Sequence, residues 1–169
     1  LEYPRFIHSE VMTHRTLSRN AASSRAIPIE KMMDMVEFNC AMPESWGLNQ
    51  NGMKASTILR GEDKDYAEYQ WQEAAKLALD GAEGLIGVGL HKQIVNRVLE
   101  PFSHIKVVVT STSYGNLFWL RSHMDAQPEI RILSDMMKNL YEKGEPTELK
   151  HNMWHMPYFT DVSGAVGVW

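Results

Sequence analysis

The run from Ile105 to Thr110, with three consecutive valines at its centre, is the sequence feature that most restricts the fold. An unbroken apolar run rich in β-branched residues favours a buried strand. The longer segments on either side instead repeat their apolar residues at helical spacing, so this strand must pack against helices. We therefore predict an α/β (α+β-like) domain in which a sheet packs against several helices.

The remaining segments divide into helices and loops. Ser18 to Ile27 is dense in side chains that compete for backbone hydrogen bonds, and it predicts a loop, as does Cys40 to Gly61. Glycines recur between Gly81 and Gly89, but no Gly-Lys-Ser/Thr follows them, so we interpret them as a connector between helices. Helical spacing occurs at His8 to Leu17, Ile29 to Phe38, Glu62 to Asp80, His91 to Leu99, and from a cap at Asp125 to about Tyr141.

Length and charge restrict the class of protein. The chain has 169 residues, enough for one domain with a core, and its net charge of -4 argues against general nucleic-acid binding. No run of 18 apolar residues predicts a membrane span, and no secretory leader is visible. Because Cys40 is alone, we expect a reducing, cytoplasmic location. The ends at Leu1 and Trp169 are abrupt, so we expect a piece of a longer chain.

Residues 13–26 are the strongest functional signal. They hold one His, one Asn, three Arg and three Ser, with no acidic residue. Such a segment concentrates hydrogen-bond donors and positive charge at one place. This chemistry suits phosphates and the polar edge of a nucleobase, because arginine can bind a phosphate through two parallel hydrogen bonds.

This segment resembles the signature of the flavin-dependent thymidylate synthases, Arg-His-Arg-x-x-Ser-x-Asn-Glu-x-Ser-x-Arg-Tyr. Thr13, Ala21 and Ala26 depart from that signature. The positions that match it are His14, Arg15, Ser18, Asn20, Ser23 and Arg25.

A second segment, residues 116–131, is similar to another run of the same family. That run has an Asn or His, an aromatic residue, Leu-Arg, a spacer, and then Ala-Gln-x-Glu-Ile-Arg. The matching positions are Leu120, Arg121, Ala126, Gln127, Glu129, Ile130 and Arg131. Two such runs in the family's order are stronger evidence than either alone. Residues 155–158 are weakly similar to phage-type members, and for a phage-encoded member the resemblance implies the host cytoplasm.

The resemblance implies an activity and its cofactors. The family transfers a methylene from methylenetetrahydrofolate to dUMP, reduces it with hydride from FADH2, and reloads the flavin with NADPH. It assembles as a homotetramer with shared sites, so we expect an oligomer. The family uses no cysteine nucleophile, so Cys40 is interpreted as a small buried hydrophobe. We expect residues 1–169 to be one domain, a piece of a longer thymidylate synthase-like chain.

The resemblance also assigns roles to individual residues. Arg121 is the catalytic candidate, because a fixed positive charge helps to ionise the pyrimidine ring. Asn96 is the alternative to Arg97, since the alignment there needs a shift of one residue. The flavin contacts implied are His14, Arg15, Asn20 and Asn116. The dUMP contacts implied are Glu10, Ser23, Ser24, Arg25, Arg97 and Arg121. No metal site is predicted: His151 and His155 have a suitable spacing but no third ligand.

The departures leave alternatives open. Thr13 and Ala21 replace family residues that touch the ligands, Glu10 stands where a glutamine is usual, and the family's Ser-Pro-Phe-Glu-His segment is absent. Three alternatives follow. The chain is a thymidylate synthase, or it is a relative with altered specificity, such as a pyrimidine hydroxymethylase. The third alternative is a non-catalytic relative that binds a nucleotide or acts as a structural or regulatory oligomer.

Overall fold

The computed structural model describes residues 1–146 and 148–152, and within them it confirms the predicted α/β class. The strands there are β1 (Glu2–Pro4), β2 (Ser18–Ala21) and β3 (His104–Thr110). The α-helices there are α1 (His8–Met12), α2 (Ile29–Phe38), α3 (Glu62–Gly87), α4 (Lys92–Leu99), α5 (Gly115–Arg121) and α6 (Pro128–Lys143). None of these helices is both long and apolar enough to cross a membrane.

The valine-rich run forms a strand, as predicted, and the structure places it at the centre of the sheet. β3 lies between β1 and β2 and is antiparallel to both, with Glu2 opposite Lys106 and Arg19 opposite Val109. Its Ile105 side chain is buried, as is that of Val107 two residues on, because alternate residues of a strand face the same side.

β2 corrects the predicted loop at Ser18 to Ile27. Serine and asparagine are poor strand formers, so the local sequence gives no strand signal. The backbone of Ser18–Ala21 nevertheless pairs with the edge of β3, and this pairing across the sheet outweighs the local preference. Residues of the predicted binding segment therefore lie on a strand in the sheet.

The described residues form two hydrophobic cores. The first core packs the sheet against α1 and α6, and its buried residues are Tyr3, Ile7, Val11, Ile105, Val107, Ala126 and Ile130. The second core is helical and joins α2, α3 and α4 through Met32, Val36, Ala75, Ala82, Val95 and Leu99. Of the α2 methionines, Met32 is thus a core residue and Met33 packs against the core.

An aromatic cluster is packed around Trp71 of α3. The Trp71 ring meets Phe6, Trp46 and Phe102 edge-on, at centroid distances of 5.9, 6.2 and 5.6 Å. Its indole nitrogen donates to the carbonyl of Ala41 at 2.9 Å, which attaches the loop after α2 to α3. Edge-to-face packing of this kind is favourable, and the buried indole N–H has its acceptor.

α1 is shorter than the predicted helix of His8 to Leu17. Arg19 donates from Nη1 to the carbonyls of Val11, Met12 and His14, at 3.2, 3.0 and 3.0 Å. Carbonyls at the end of a helix have no partner within the helix, and the arginine supplies one. The chain can therefore leave the helix after Met12 without losing these bonds.

α3 is longer than predicted, and the glycine-rich connector is wrong as far as Gly87. The helix ends where Gly89 adopts a left-handed conformation, with φ of 77°. The N–H of Gly89 donates to Ile86 and the N–H of Leu90 to Leu85, at 2.8 and 3.0 Å, which is a Schellman ending.

The predicted cap of α6 at Asp125 is also wrong. α6 begins at Pro128, and the extended conformation of Gln127 marks its start without a side-chain cap. Proline disfavours the helical conformation in the residue before it, so the helix starts later than the acidic residue suggests. The Asp125 carboxylate instead faces Lys54 at 3.5 Å. The helix α5, for which no secondary structure was predicted, precedes this turn.

Candidate functional site

The two family-like segments meet in the fold through Arg121. Its Nε donates to Nε2 of His14 at 2.9 Å, and its Nη2 donates to Oγ1 of Thr13 at 3.2 Å. The residues of the first pair are 107 positions apart in the chain. α5 thus carries Arg121 to the end of α1, and we call Thr13, His14, Arg19 and Arg121 the His14 cluster.

His14 is neutral in this cluster. Its side chain is only 5% exposed, and burial lowers the pKa of His14, as do the nearby cations of Arg121 and Arg19. Because Nε2 accepts from Arg121, the proton of the neutral ring is assigned to Nδ1. His14 is therefore an acceptor that fixes the direction of the Arg121 guanidinium.

Sequence reasoning missed the positions of Thr13 and Arg19 in this cluster. Thr13 was only a departure from the signature, yet its hydroxyl contacts both Arg121 and the carbonyl of Glu10, the latter at 2.7 Å. In the sequence, Arg19 is one of three positive charges in the segment and has no assigned role. In the structure, its bonds to three carbonyls, that of His14 among them, hold the backbone of this turn in place. The run of residues gives no signal for either contact, because both depend on where the chain turns.

A second group surrounds Ser24 and is held by α4. Asn96 is fully buried, and its Nδ2 donates to the carbonyls of Ser24 and Ile27 at 2.7 and 3.0 Å. Lys92 donates to the carbonyl of Ala26 at 3.3 Å. We call residues 23–27 the Ser24 turn.

The Ser24 turn presents two of the predicted phosphate ligands to solvent. Ser23 and Arg25 are exposed, and neither side chain hydrogen-bonds to any of the described residues. The Ser24 side chain is fully buried, so its hydroxyl faces the interior. Of the two alternatives on α4, Asn96 contacts this turn, whereas Arg97 pairs with Glu100 at 2.9 Å.

The side chains of the other predicted residues make no hydrogen bond to either group, although the backbone carbonyl of Glu10 accepts from Thr13. Glu10 is half-buried and accepts from the Ser9 hydroxyl at 2.8 Å. Arg15, Asn20 and Asn116 are exposed, and their side chains make no hydrogen bond within the described part of the chain. These three are free donors for a ligand.

The segment that contains Arg15 lies beside the start of α5. Ser111, which precedes α5, donates from Oγ to the carbonyl of Thr16 at 3.1 Å. Together with the Arg121 contacts, this bond places α5 next to residues 13–16. The free Arg15 donors beside the fixed Arg121 guanidinium form a surface that can bind an anionic ligand.

Two sequence features lie wholly or partly outside the described residues. The run 155–158 lies outside the described residues, and so does His155 of the His151–His155 pair. His151 is described and is exposed. Among residues 1–146 and 148–152, no three His, Cys, Asp or Glu side chains are grouped so as to hold a metal ion. Cys40 is half-buried, and burial raises the pKa of its thiol.

Comparisons with solved structures give the same fold. The chain is similar to a UMP/dUMP methylase, PolB, from Streptomyces cacaoi, in a structure bound with 5-Br UMP, with a TM-score of 0.65 and 19% identity. A second structure of that protein, bound with 5-Br dUMP, gives a TM-score of 0.62 and 18% identity. The alignments cover 84% of this chain and 65% and 64% of those chains. At this identity the likeness establishes the fold.

Comparisons of sequence identify the family. Curated proteins give no significant match. The profile of the family described as "Thymidylate synthase complementing protein" matches residues 1–147, which contain both the His14 cluster and the Ser24 turn. The chain therefore belongs to the thymidylate synthase complementing protein family, the flavin-dependent thymidylate synthases.

Proposed function

We propose that this chain methylates dUMP to dTMP, with methylenetetrahydrofolate as the carbon donor and FADH2 as the hydride donor. The observation that carries the proposal is the 2.9 Å contact between Arg121 and His14, because it unites the two family-like segments in one cluster. The UMP/dUMP methylase structures, with brominated uridylates bound, support a uridylate as the substrate. NADPH is the proposed reductant of the flavin.

The residues present fit a flavin. Arg15, Asn20 and Asn116 offer exposed donors that the described residues do not use, and these would hold the cofactor. When bound, the reduced flavin supplies the hydride that turns the transferred methylene into a methyl group. His14 contributes through Arg121, because its Nε2 is already engaged there.

For the nucleotide, we assign the phosphate to the Ser24 turn and the base to Arg121. Arg25 and Ser23 are free to bind a phosphate, and Asn96 keeps the turn in shape. The Arg121 cation favours the anionic form of the pyrimidine ring, since an opposite charge lowers the pKa of an acid. Its direction is fixed before the substrate arrives, so little reorganisation is needed.

The assembly and location follow from the same proposal. We propose a cytoplasmic homotetramer whose sites are shared between copies. Such sharing would allow a neighbouring copy to supply contacts that Thr13 and Ala21 do not. Sedimentation at micromolar concentration measures this directly, and a monomer that is fully active would contradict a shared site.

The test is a visible spectrum of the purified protein with added FAD, followed by a titration with dUMP. We expect bound flavin whose absorption bands shift on addition of dUMP. Arg25→Ala should raise the Kd for dUMP at least tenfold, equivalent to about 1.4 kcal/mol, by removing a phosphate contact. Arg60→Ala is the matched control, because Arg60 is also exposed and outside the site. Failure to bind flavin would contradict the proposal.

A second candidate is a nucleotide-binding relative without this turnover. Arg121 already has two acceptors within the chain, and Ala21 offers no carboxylate where the family signature has Glu. This candidate expects dUMP binding without methyl transfer. A pyrimidine hydroxymethylase would instead release a hydroxymethylated base, which mass spectrometry of the product distinguishes.

A further inference from the structure

A cavity of about 350 Å³ lies between β1, the loop that follows α2, and α6. It shares no residue with the His14 cluster or the Ser24 turn. The lining residues that matter here are Glu2, Met42, Glu44, His104, Glu129 and Met136.

Glu129 is the buried charged group of this cavity. It lies in the first turn of α6, and its side chain is only 6% exposed. Its Oε1 accepts from the backbone N–H of Glu44 at 2.9 Å, which holds the loop against α6. Its Oε2 is buried and has no hydrogen-bond partner among the described residues. A buried carboxylate oxygen in this state is unfavourable unless a donor is supplied.

His104, which also lines the cavity, has a second polar atom without a partner. It begins β3 opposite Pro4, and its Nδ1 is buried without a partner within the described part of the chain. The neutral imidazole can accept at this nitrogen. A ligand in this cavity that carries N–H groups could therefore donate to Oε2 of Glu129 or to Nδ1 of His104.

The charge and composition of the lining indicate what kind of donor fits. Glu2 and Glu44 add two carboxylates, and among the described lining residues no lysine or arginine is present. Lys106 neutralises Glu2 only weakly, at 3.7 Å. The wall also carries the polar Asn39 and several apolar side chains, among them Ile132, Leu133 and two methionines. Such a lining suits a cation that carries an apolar body, and a metal ion is disfavoured since no three ligands are grouped in the described residues.

We propose that this cavity is a second binding site, for a small organic cation with an ammonium or amidinium group and an apolar tail. The charged nitrogen donates to Glu129, and the tail packs against Met42 and Met136. The site is independent of dUMP and flavin, so it stands even if the proposed methylation fails.

The test uses n-hexylamine as the probe and n-hexanol as its uncharged control, in titration calorimetry of the full chain. Hexylamine should bind at least tenfold more tightly than hexanol. Glu129→Gln should remove most of this difference, because it keeps an acceptor for Glu44 while losing the charge. Glu142→Gln, on an exposed part of the same helix, should leave it unchanged. Equal binding of the two probes, or an unaltered Glu129→Gln protein, overturns the proposal.

Two further measurements keep the test decisive if Glu129→Gln does not fold. Methyl NMR of the methionines should show hexylamine shifting Met42 and Met136 but not Met12, which lies outside the cavity. Met136→Lys changes an exposed position and places a competing cation at the mouth, so it should abolish binding. If hexylamine instead dissociates an oligomer, the cavity holds a side chain of another copy and the small-molecule site is wrong.

Discussion

Arg121 and His14 act as one unit at the residue scale. A neutral, buried histidine accepts from the guanidinium, while the threonine beside it accepts the second bond. The pairing fixes the direction of the Arg121 guanidinium without neutralising its charge. A group that stabilises an anionic pyrimidine ring needs such a fixed charge. The sequence identifies both residues, but their contact comes from the fold.

Arg121→Ala should raise the pKa of His14. The Arg121 cation disfavours a second positive charge nearby, so its loss removes one cause of the lowered pKa, although burial, the larger cause, remains. Arg121→Lys should keep most of the effect. NMR titration of the His14 ring measures the pKa, with Arg60→Ala as control; an unchanged value in Arg121→Ala would contradict the electrostatic coupling.

Asn96→Ala should lower the free energy of unfolding by about 1–3 kcal/mol. The substitution leaves the buried carbonyls of Ser24 and Ile27 without their donor. Gln93→Ala, an exposed change on the same helix, should have little effect. Urea unfolding measures both variants. Equal stability of the two would mean that water replaces Asn96 at the Ser24 turn.

The elements differ in how far local sequence decides them. α2 begins and ends where its pattern predicts, because its apolar spacing and the preceding proline agree. α3 continues past Gly81 and Gly84 and ends at Gly87, since buried Ala75 and Ala82 tie it to the helical core. Tertiary packing thus outweighs the weak helix propensity of glycine.

Gly84→Ala should stabilise the protein by about 0.5–1 kcal/mol. A Cβ at this position meets nothing within 4 Å, and alanine loses less entropy in a helix. Gly89→Ala is the matched contrast: its φ of 77° is strained for alanine, so it should destabilise by more than that gain. Thermal unfolding ranks the two variants. A stabilised Gly89→Ala would refute the Schellman ending of α3.

At the scale of the whole molecule, buried ionisable groups set the pH range of stability. Burial and the cations of Arg5 and Arg19 lower the pKa of His8, and burial likewise lowers that of His14. Burial raises the pKa of Tyr3 to about 12, and its hydroxyl hydrogen-bonds to His8 at 2.9 Å. These groups prefer to be uncharged in the folded protein.

The free energy of unfolding should therefore fall on both sides of a plateau. The contribution of the neutral histidines to the free energy of unfolding is fully present above about pH 6.5. It is lost as the pH falls through the lowered pKa values that these histidines have in the folded protein. The contribution of protonated Tyr3 to the free energy of unfolding is fully present below about pH 10. It is lost as the pH rises towards the pKa of Tyr3 in the folded protein, about 12. Urea unfolding from pH 5 to 11 measures this profile. Tyr3→Phe should remove part of the alkaline loss, and an unchanged alkaline limb would contradict the role of Tyr3.

The sequence by itself determined the valine-rich strand, the α2 and α4 helices and the polar segment, because apolar spacing and side-chain chemistry are local properties. It also placed Arg121 and His14 in matching family positions. Only the tertiary structure decided that Ser18–Ala21 is a strand, that Arg19 ends α1, and that Asn96 holds the Ser24 turn. Each of these depends on backbone groups whose partners are distant in the chain, and no local pattern of residues encodes such a partner.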